Sequence, residues 1–91
     1  MNLSQILIEA GVTPGDLSDD CQFIAQDNDG LLASYEKTPV LYKLFDGGWD
    51  THFLCANSKI PLRLALSSDW QTPLSREQFI ADYEAHCAKI P

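Results

Sequence analysis

Apolar residues fall at helical spacing near both ends of this chain and alternate with polar ones between them. Leu3, Ile6, Leu7 and Ala10 recur every three or four positions, which puts them on one face of a helix. Asn2 and Gln5 stand three apart at its head as a variant capping box, and Gly11 offers the stop. The pattern predicts a short helix over 3–10. Near the other end Ser75 and Gln78 form a second box. Phe79, Ile80, Tyr83, Cys87 and Ile90 then fall within an arc of about 100°. An amphipathic helix over 76–88 follows, with Phe79 and Tyr83 buried against the rest of the fold.

The middle of the chain changes period from 3.6 to 2. Cys21, Phe23 and Ala25 alternate with Gln22, Ile24 and Gln26, and a further apolar run holds Leu32 and Tyr35. VLYKLF (40–45) is rich in strand formers, DGG (46–48) is a tight-turn signal, and WDTHFLCA alternates Trp49, Thr51, Phe53 and Cys55 against Asp50, His52, Leu54 and Ala56. After a turn at 57–59, Ile60, Leu62, Leu64 and Leu66 alternate with Pro61, Arg63 and Ala65, predicting one more strand with a buried face. Pro61 suits an edge or the start of that strand. SSDWQTP reads as a connector. The expected fold is therefore α+β: an antiparallel sheet of four or five strands, with an N-terminal and a C-terminal helix packed on one face, in a single domain spanning 1–91.

The stretch AQDNDGLLASYE (25–36) carries two competing readings. Asp27, Asp29, Gly30 and Glu36 match the third, fifth, sixth and twelfth places of an EF-hand calcium loop. The first ligand place, however, is Ala25, and Pro39 stands where the exiting helix should run. Two extended segments joined by DNDG fit a hairpin instead, with Gly30 supplying a positive φ. The hairpin is the expectation, and no metal site is expected at this stretch.

Composition narrows the function classes. A chain of 91 residues hides only about 60–65% of its unfolded surface, which leaves little room for a deep catalytic cleft. No apolar run approaches the ~20 residues of a membrane span. The N-terminal segment has no basic leader and no small-residue cleavage site, so a cytoplasmic location is expected. Cys21, Cys55 and Cys87 are an odd number at long spacing, which favours reduced thiols. With only His52 and His86 to join them, no zinc-type spacing arises. No cofactor is expected.

Charge is the most informative bulk property. The formal net charge is −7, and residues 1–36 contain seven acids and no Lys or Arg. VTPGDLSDD (12–20), with its Pro-Gly pair and Asp cluster, is expected to be an exposed acidic loop. A single-sign field of this kind disfavours direct nucleic-acid binding and suits a basic partner, although solubility alone also accounts for it. Asp16, Asp19, Asp20, Asp27 and Asp29 are the candidate acidic face. Trp49 and Trp70 flank turns and read as core lids or as interface anchors.

Other residue types suggest no chemistry of their own. His52 lacks a nucleophile at any diagnostic spacing. His86 is explained by Asp82 four residues before it and by the helix dipole. Cys55 and Cys87 read as small core residues. No catalytic residue is assigned.

The string QFIAQDNDGLLASYEKTPVLYKLFDGGWD, followed later by SSDWQTPLSREQF, resembles a pattern in short proteins of bacteriophages and other bacterial mobile elements. In those proteins D-x-D-G leads to a Tyr-Glu pair, x-P-x-L, a Trp after a Gly turn and a late Asp-Trp. The likeness covers about residues 21–79 and brings no catalytic residues with it. The leading Trp that such proteins often carry before the D-x-D-G turn is absent here. What the resemblance implies is an accessory protein acting inside a bacterial host cell. Two functions are thus expected from sequence: a small acidic, non-enzymatic protein that binds a basic surface on another protein, as an inhibitor of host defence or an immunity-type inhibitor would; or a small-ligand binder or minor enzyme with a pocket near His52 and Trp49. Neither the partner nor the oligomeric state is legible.

Overall fold

The structure, a computed structural model, describes residues 1–37, 41–42, 48–49 and 59–89, with backbone only at 41–42 and 48–49. It is an α+β arrangement. Helix α1 spans Leu3–Glu9, a 3-10 turn spans Pro14–Asp16, and strands β1 (Phe23–Gln26) and β2 (Leu32–Tyr35) follow. After these come β3 (Leu41–Tyr42), β4 (Gly48–Trp49), β5 (Leu74–Ser75) and helix α2 (Arg76–Ala88).

Local chemistry accounts for both ends of α1. Asn2 Oδ1 accepts from the Gln5 N–H at 2.9 Å while Gln5 Oε1 accepts from the Asn2 N–H, also at 2.9 Å. At the other end Gly11 takes φ of 86°. Its N–H donates to Ile8 O and the Val12 N–H donates to Leu7 O, each at 3.0 Å, the paired bonds of a Schellman motif. Seven residues are too few to stay helical alone. Tertiary contacts supply the rest: the Leu3 N–H donates to Asp69 Oδ1 at 2.8 Å and the Ser68 N–H to Met1 O at 2.9 Å.

The hairpin reading of 25–36 holds. Strands β1 and β2 pair antiparallel from Phe23↔Tyr35 to Gln26↔Leu32, and Gly30 has φ of 92°. The Asp27 N–H donates to Leu31 O and the Gly30 N–H to Asp27 O. Strand β5 adds to the other side of β1, with Ile24 opposite Leu74, giving a three-stranded sheet in the order β2-β1-β5. Strands β3 and β4 pair with each other, Leu41 opposite Trp49, as the second hairpin requires. The DGG turn apart from Gly48, the remainder of that hairpin with His52 and Cys55, and Ile90 lie outside the described residues.

Residues that face each other across an antiparallel pair share a face. Ile24, Leu32 and Leu74 join Leu3 and Leu7 of α1, Phe79 of α2, Val12, Leu17 and Cys21 in the main apolar cluster. On the opposite face Ala25 and Tyr35 are buried beside Phe23 and Ala33. Strand β1 is therefore covered on both faces, and its polar residue Gln26 has no exposed surface.

Two expectations are corrected. Residues 60–66 do not form a strand with a buried face: they make one isolated bridge, Leu31 with Arg63, and Leu62 and Leu66 are 76% and 47% exposed. The cause is Gln26. Its Nε2 donates to Leu64 O at 3.3 Å and Ala65 O at 2.9 Å, and its Oε1 accepts the Ser67 N–H at 2.8 Å. A side chain thus takes backbone groups that a neighbouring strand would otherwise pair. Leu74 and Ser75, just past the connector, pair with β1, and Ser75 caps α2 as expected.

The apolar stripe of α2 is the second. Phe79 is fully buried, but Ile80 and Tyr83 are half-buried and Cys87 is an exposed thiol rather than a core residue. Of this 13-residue helix only Phe79 enters the main apolar cluster, while Tyr83, His86 and Cys87 line an open cleft against Ile8 and residues 11–13. The head of α2 also departs from a box: Ser75 Oγ accepts the Gln78 N–H, while the Gln78 side chain turns forward to Asp82.

Gly30 carries a double constraint. Besides its left-handed φ, a Cβ there would collide with the Leu64 carbonyl oxygen, whereas at Gly11 nothing lies within 4 Å. Gly11→Ala should therefore cost only the left-handed penalty, about 1–2 kcal/mol. Gly30→Ala should cost at least about 1 kcal/mol more, because the hairpin and the 63–65 segment must part. Urea denaturation of both variants checks this, and equal losses would show that the close approach contributes nothing.

Candidate functional site

The acidic loop after α1 is built from the inside outward. Val12 and Cys21, at its two ends, and Leu17 between them are buried and anchor it. Just before Leu17 the Asp16 carboxylate turns back on the chain: its Oδ2 accepts the Thr13 N–H at 2.8 Å and the Thr13 hydroxyl at 3.2 Å. Thr13 and Asp16 are three apart, the capping-box spacing, so this signal was present in the sequence. The Asp16 carbonyl accepts the Lys59 N–H at 2.6 Å.

The far side of the loop is fastened to α2. Arg76 sends one guanidinium nitrogen to Ser18 O at 2.7 Å and to Cys21 O at 3.0 Å. Its backbone N–H donates to Gln22 O at 2.7 Å, continuing the β1–β5 pairing into the helix. The Ser18 hydroxyl donates to Asp20 Oδ1 at 2.6 Å. What projects from this frame is Asp19 and Asp20, both exposed. A charged donor on two carbonyls holds a loop more firmly than neutral bonds do.

The second acidic group sits at the hairpin tip. Asp29 Oδ1 accepts the Leu31 N–H at 3.0 Å, an Asx-type turn, and Oδ2 pairs with Arg63 at 3.2 Å. Both partners are more than half exposed, so the pair adds less than about 1 kcal/mol. Asp27 is half-buried. From Asp20 to Asp27 the chain runs extended along β1, which separates the two groups by roughly 20 Å. The five candidate aspartates therefore form two groups, one at each end of the strand.

The tryptophans part company. Trp70 is half-buried in the turn closed by the Thr72 N–H on Asp69 O, next to the carboxylate that caps α1. Trp49 lies in β4, and its side chain is outside the described residues, as is the expected pocket at His52.

Elsewhere on α2 the Tyr83 phenol is held above its ordinary pKa, first by a hydrogen bond with the Cys87 side chain and by charge interaction with it, then by burial and by the charge of Asp16. Among the described residues no three His, Cys, Asp or Glu side chains gather to hold a metal ion, and no helix is long and apolar enough to cross a membrane. Three residues that position the acidic loop and its surroundings, Asp69, Arg76 and Gln26, act over 38 to 66 positions in sequence, a reach that no local pattern encodes. Compared with protein-family models, curated proteins and solved structures, the chain matches none.

The inward use of Asp16 separates it from its neighbours energetically. Asp16→Ala should lower stability by about 0.5–2 kcal/mol, as loss of a capping carboxylate does. Asp19→Ala should stay within about 0.5 kcal/mol of the parent. Chemical denaturation of the two variants measures the difference, and similar losses would contradict a structural role for Asp16.

Proposed function

We propose that this chain is a small acidic, non-enzymatic interaction protein that docks on a basic surface of another protein. In this reading it is an accessory protein of a phage or mobile element that acts in the bacterial cytoplasm as an inhibitor of host defence or as an immunity-type inhibitor. Both helices share one face of the sheet and frame the acidic loop. The observation that supports this best is the fastening of that loop: Arg76 and Asp16 fix its backbone from both sides while Asp19 and Asp20 stand in solvent. A preorganised pair of charges loses little freedom on binding. Set in the single-sign field of residues 1–36, it steers a cationic partner and raises the rate of association more than the affinity. The same field repels a phosphate backbone.

The structure refines which acids to test. Asp16 is spent on the fold, so the variant that isolates recognition is Asp19→Asn with Asp20→Asn. Immobilised parent protein and this variant would be exposed to bacterial lysate at low salt, and association with the purified captured protein would then be timed. The double variant should keep the parent melting temperature and associate at least about threefold more slowly at low ionic strength. The two rates should converge at 0.5 M salt, where the Debye length is about 4 Å. Equal rates at low salt would reduce the loop to a solubility device.

A further inference from the structure

A groove of about 380 Å³ runs between α1 and α2, away from the acidic loop, and its size falls in the range of small-molecule sites. Ser4 and Ile8, one turn apart, line it from α1 together with Glu9; Asp82, Ala85, His86 and Lys89 line it from α2. Ser4 is only 2% exposed, and its hydroxyl has no hydrogen-bond partner among the described residues. Buried hydroxyls are nearly always paired, and one left unpaired against a cavity calls for an explanation. Its position in the groove wall supplies one: a polar group brought by a ligand.

The charges around the groove restrict what that ligand is. Glu9 and Asp82 present carboxylates, which repel a simple anion; Lys89, at the C-cap of α2, repels a simple cation. A molecule carrying both signs satisfies both sets. We infer that the α1–α2 groove binds a small zwitterion of the free α-amino acid class. Its ammonium meets Glu9 and Asp82, its carboxylate meets Lys89 and His86, and its side chain lies against Ile8 and Ala85. The Ser4 hydroxyl completes the polar contacts. This site is independent of the docking role of the acidic loop, and either can fail without the other.

The test is an amide chemical-shift titration of the full chain with each of the twenty free L-amino acids, with sodium acetate and methylammonium chloride as single-charge probes. At least one amino acid should give saturable shifts centred on Ser4, Ile8 and Ala85 below about 20 mM, the range of weak small-molecule binding, and neither single-charge probe should. Ser4→Ala should weaken that binding at least about threefold without lowering the melting temperature, since it removes an unpaired hydroxyl. Lys89→Met and Glu9→Gln, both at exposed positions, should weaken it as well and keep the test valid should the Ser4 variant fold poorly. Absence of saturable shifts for all twenty amino acids would overturn the proposal, as would binding left unchanged by Lys89→Met and Glu9→Gln.

Discussion

The amide of Gln26 is the contact on which most of this fold depends. It sits at the end of the central strand with no exposed surface, and its Nε2 reaches Gly30 O, Leu64 O and Ala65 O while Oε1 receives the Ser67 N–H. One side chain thereby joins the hairpin tip to a segment about 40 residues further on. A primary amide suits the place because it offers donor and acceptor together. A leucine would fill the same volume and leave the partners unmatched, at about 1–3 kcal/mol for each buried group.

The rest of the architecture follows from that junction. With 64–67 held at the hairpin, the next residues turn back so that Ser68 and Asp69 grip the head of α1. The chain then reaches β5, pairs with β1 and enters α2 at Arg76, whose guanidinium closes the acidic loop. Each fastening joins segments far apart in sequence, and each lies at an edge of the same apolar cluster. The exposed Asp19 and Asp20 are held in place by an arginine, and that arginine is held by the sheet. The groove between the helices is a by-product of the same geometry, since the short α1 meets only part of the longer α2.

What could be read from sequence was what is decided locally. Both ends of α1 were legible because Asn2, Gln5 and Gly11 act within a few residues, and the 25–36 hairpin was legible because Gly30 has to supply a positive φ. The extent of α2 was legible from Ser75 and the apolar spacing. The burial of its stripe was not, because it depends on how far α1 and the sheet reach, and so Cys87 ends in solvent. The alternation of Ile60 to Leu66 promised a strand, but its pairing with the hairpin ends at Leu62 and Leu64 because Gln26 takes the next backbone groups. Strand β5 was invisible because two residues carry no period; only their pairing with Phe23 and Ile24 makes them a strand. Among the acids the sequence marked the right loop. It did not separate Asp16, which bonds inward, from Asp19 and Asp20, although Thr13 three residues before Asp16 was the signal.

Gln26 is locked in a bonded junction that opens only when the protein unfolds. Hydrogen exchange of side-chain amides measures this directly, using exposed Gln22 and Gln71 as references in the same sample. The Gln26 Nε2 protons and the Ser67 backbone N–H should exchange together, at the rate set by global unfolding. Exchange of the Gln26 amide as fast as that of Gln22 and Gln71 would contradict it.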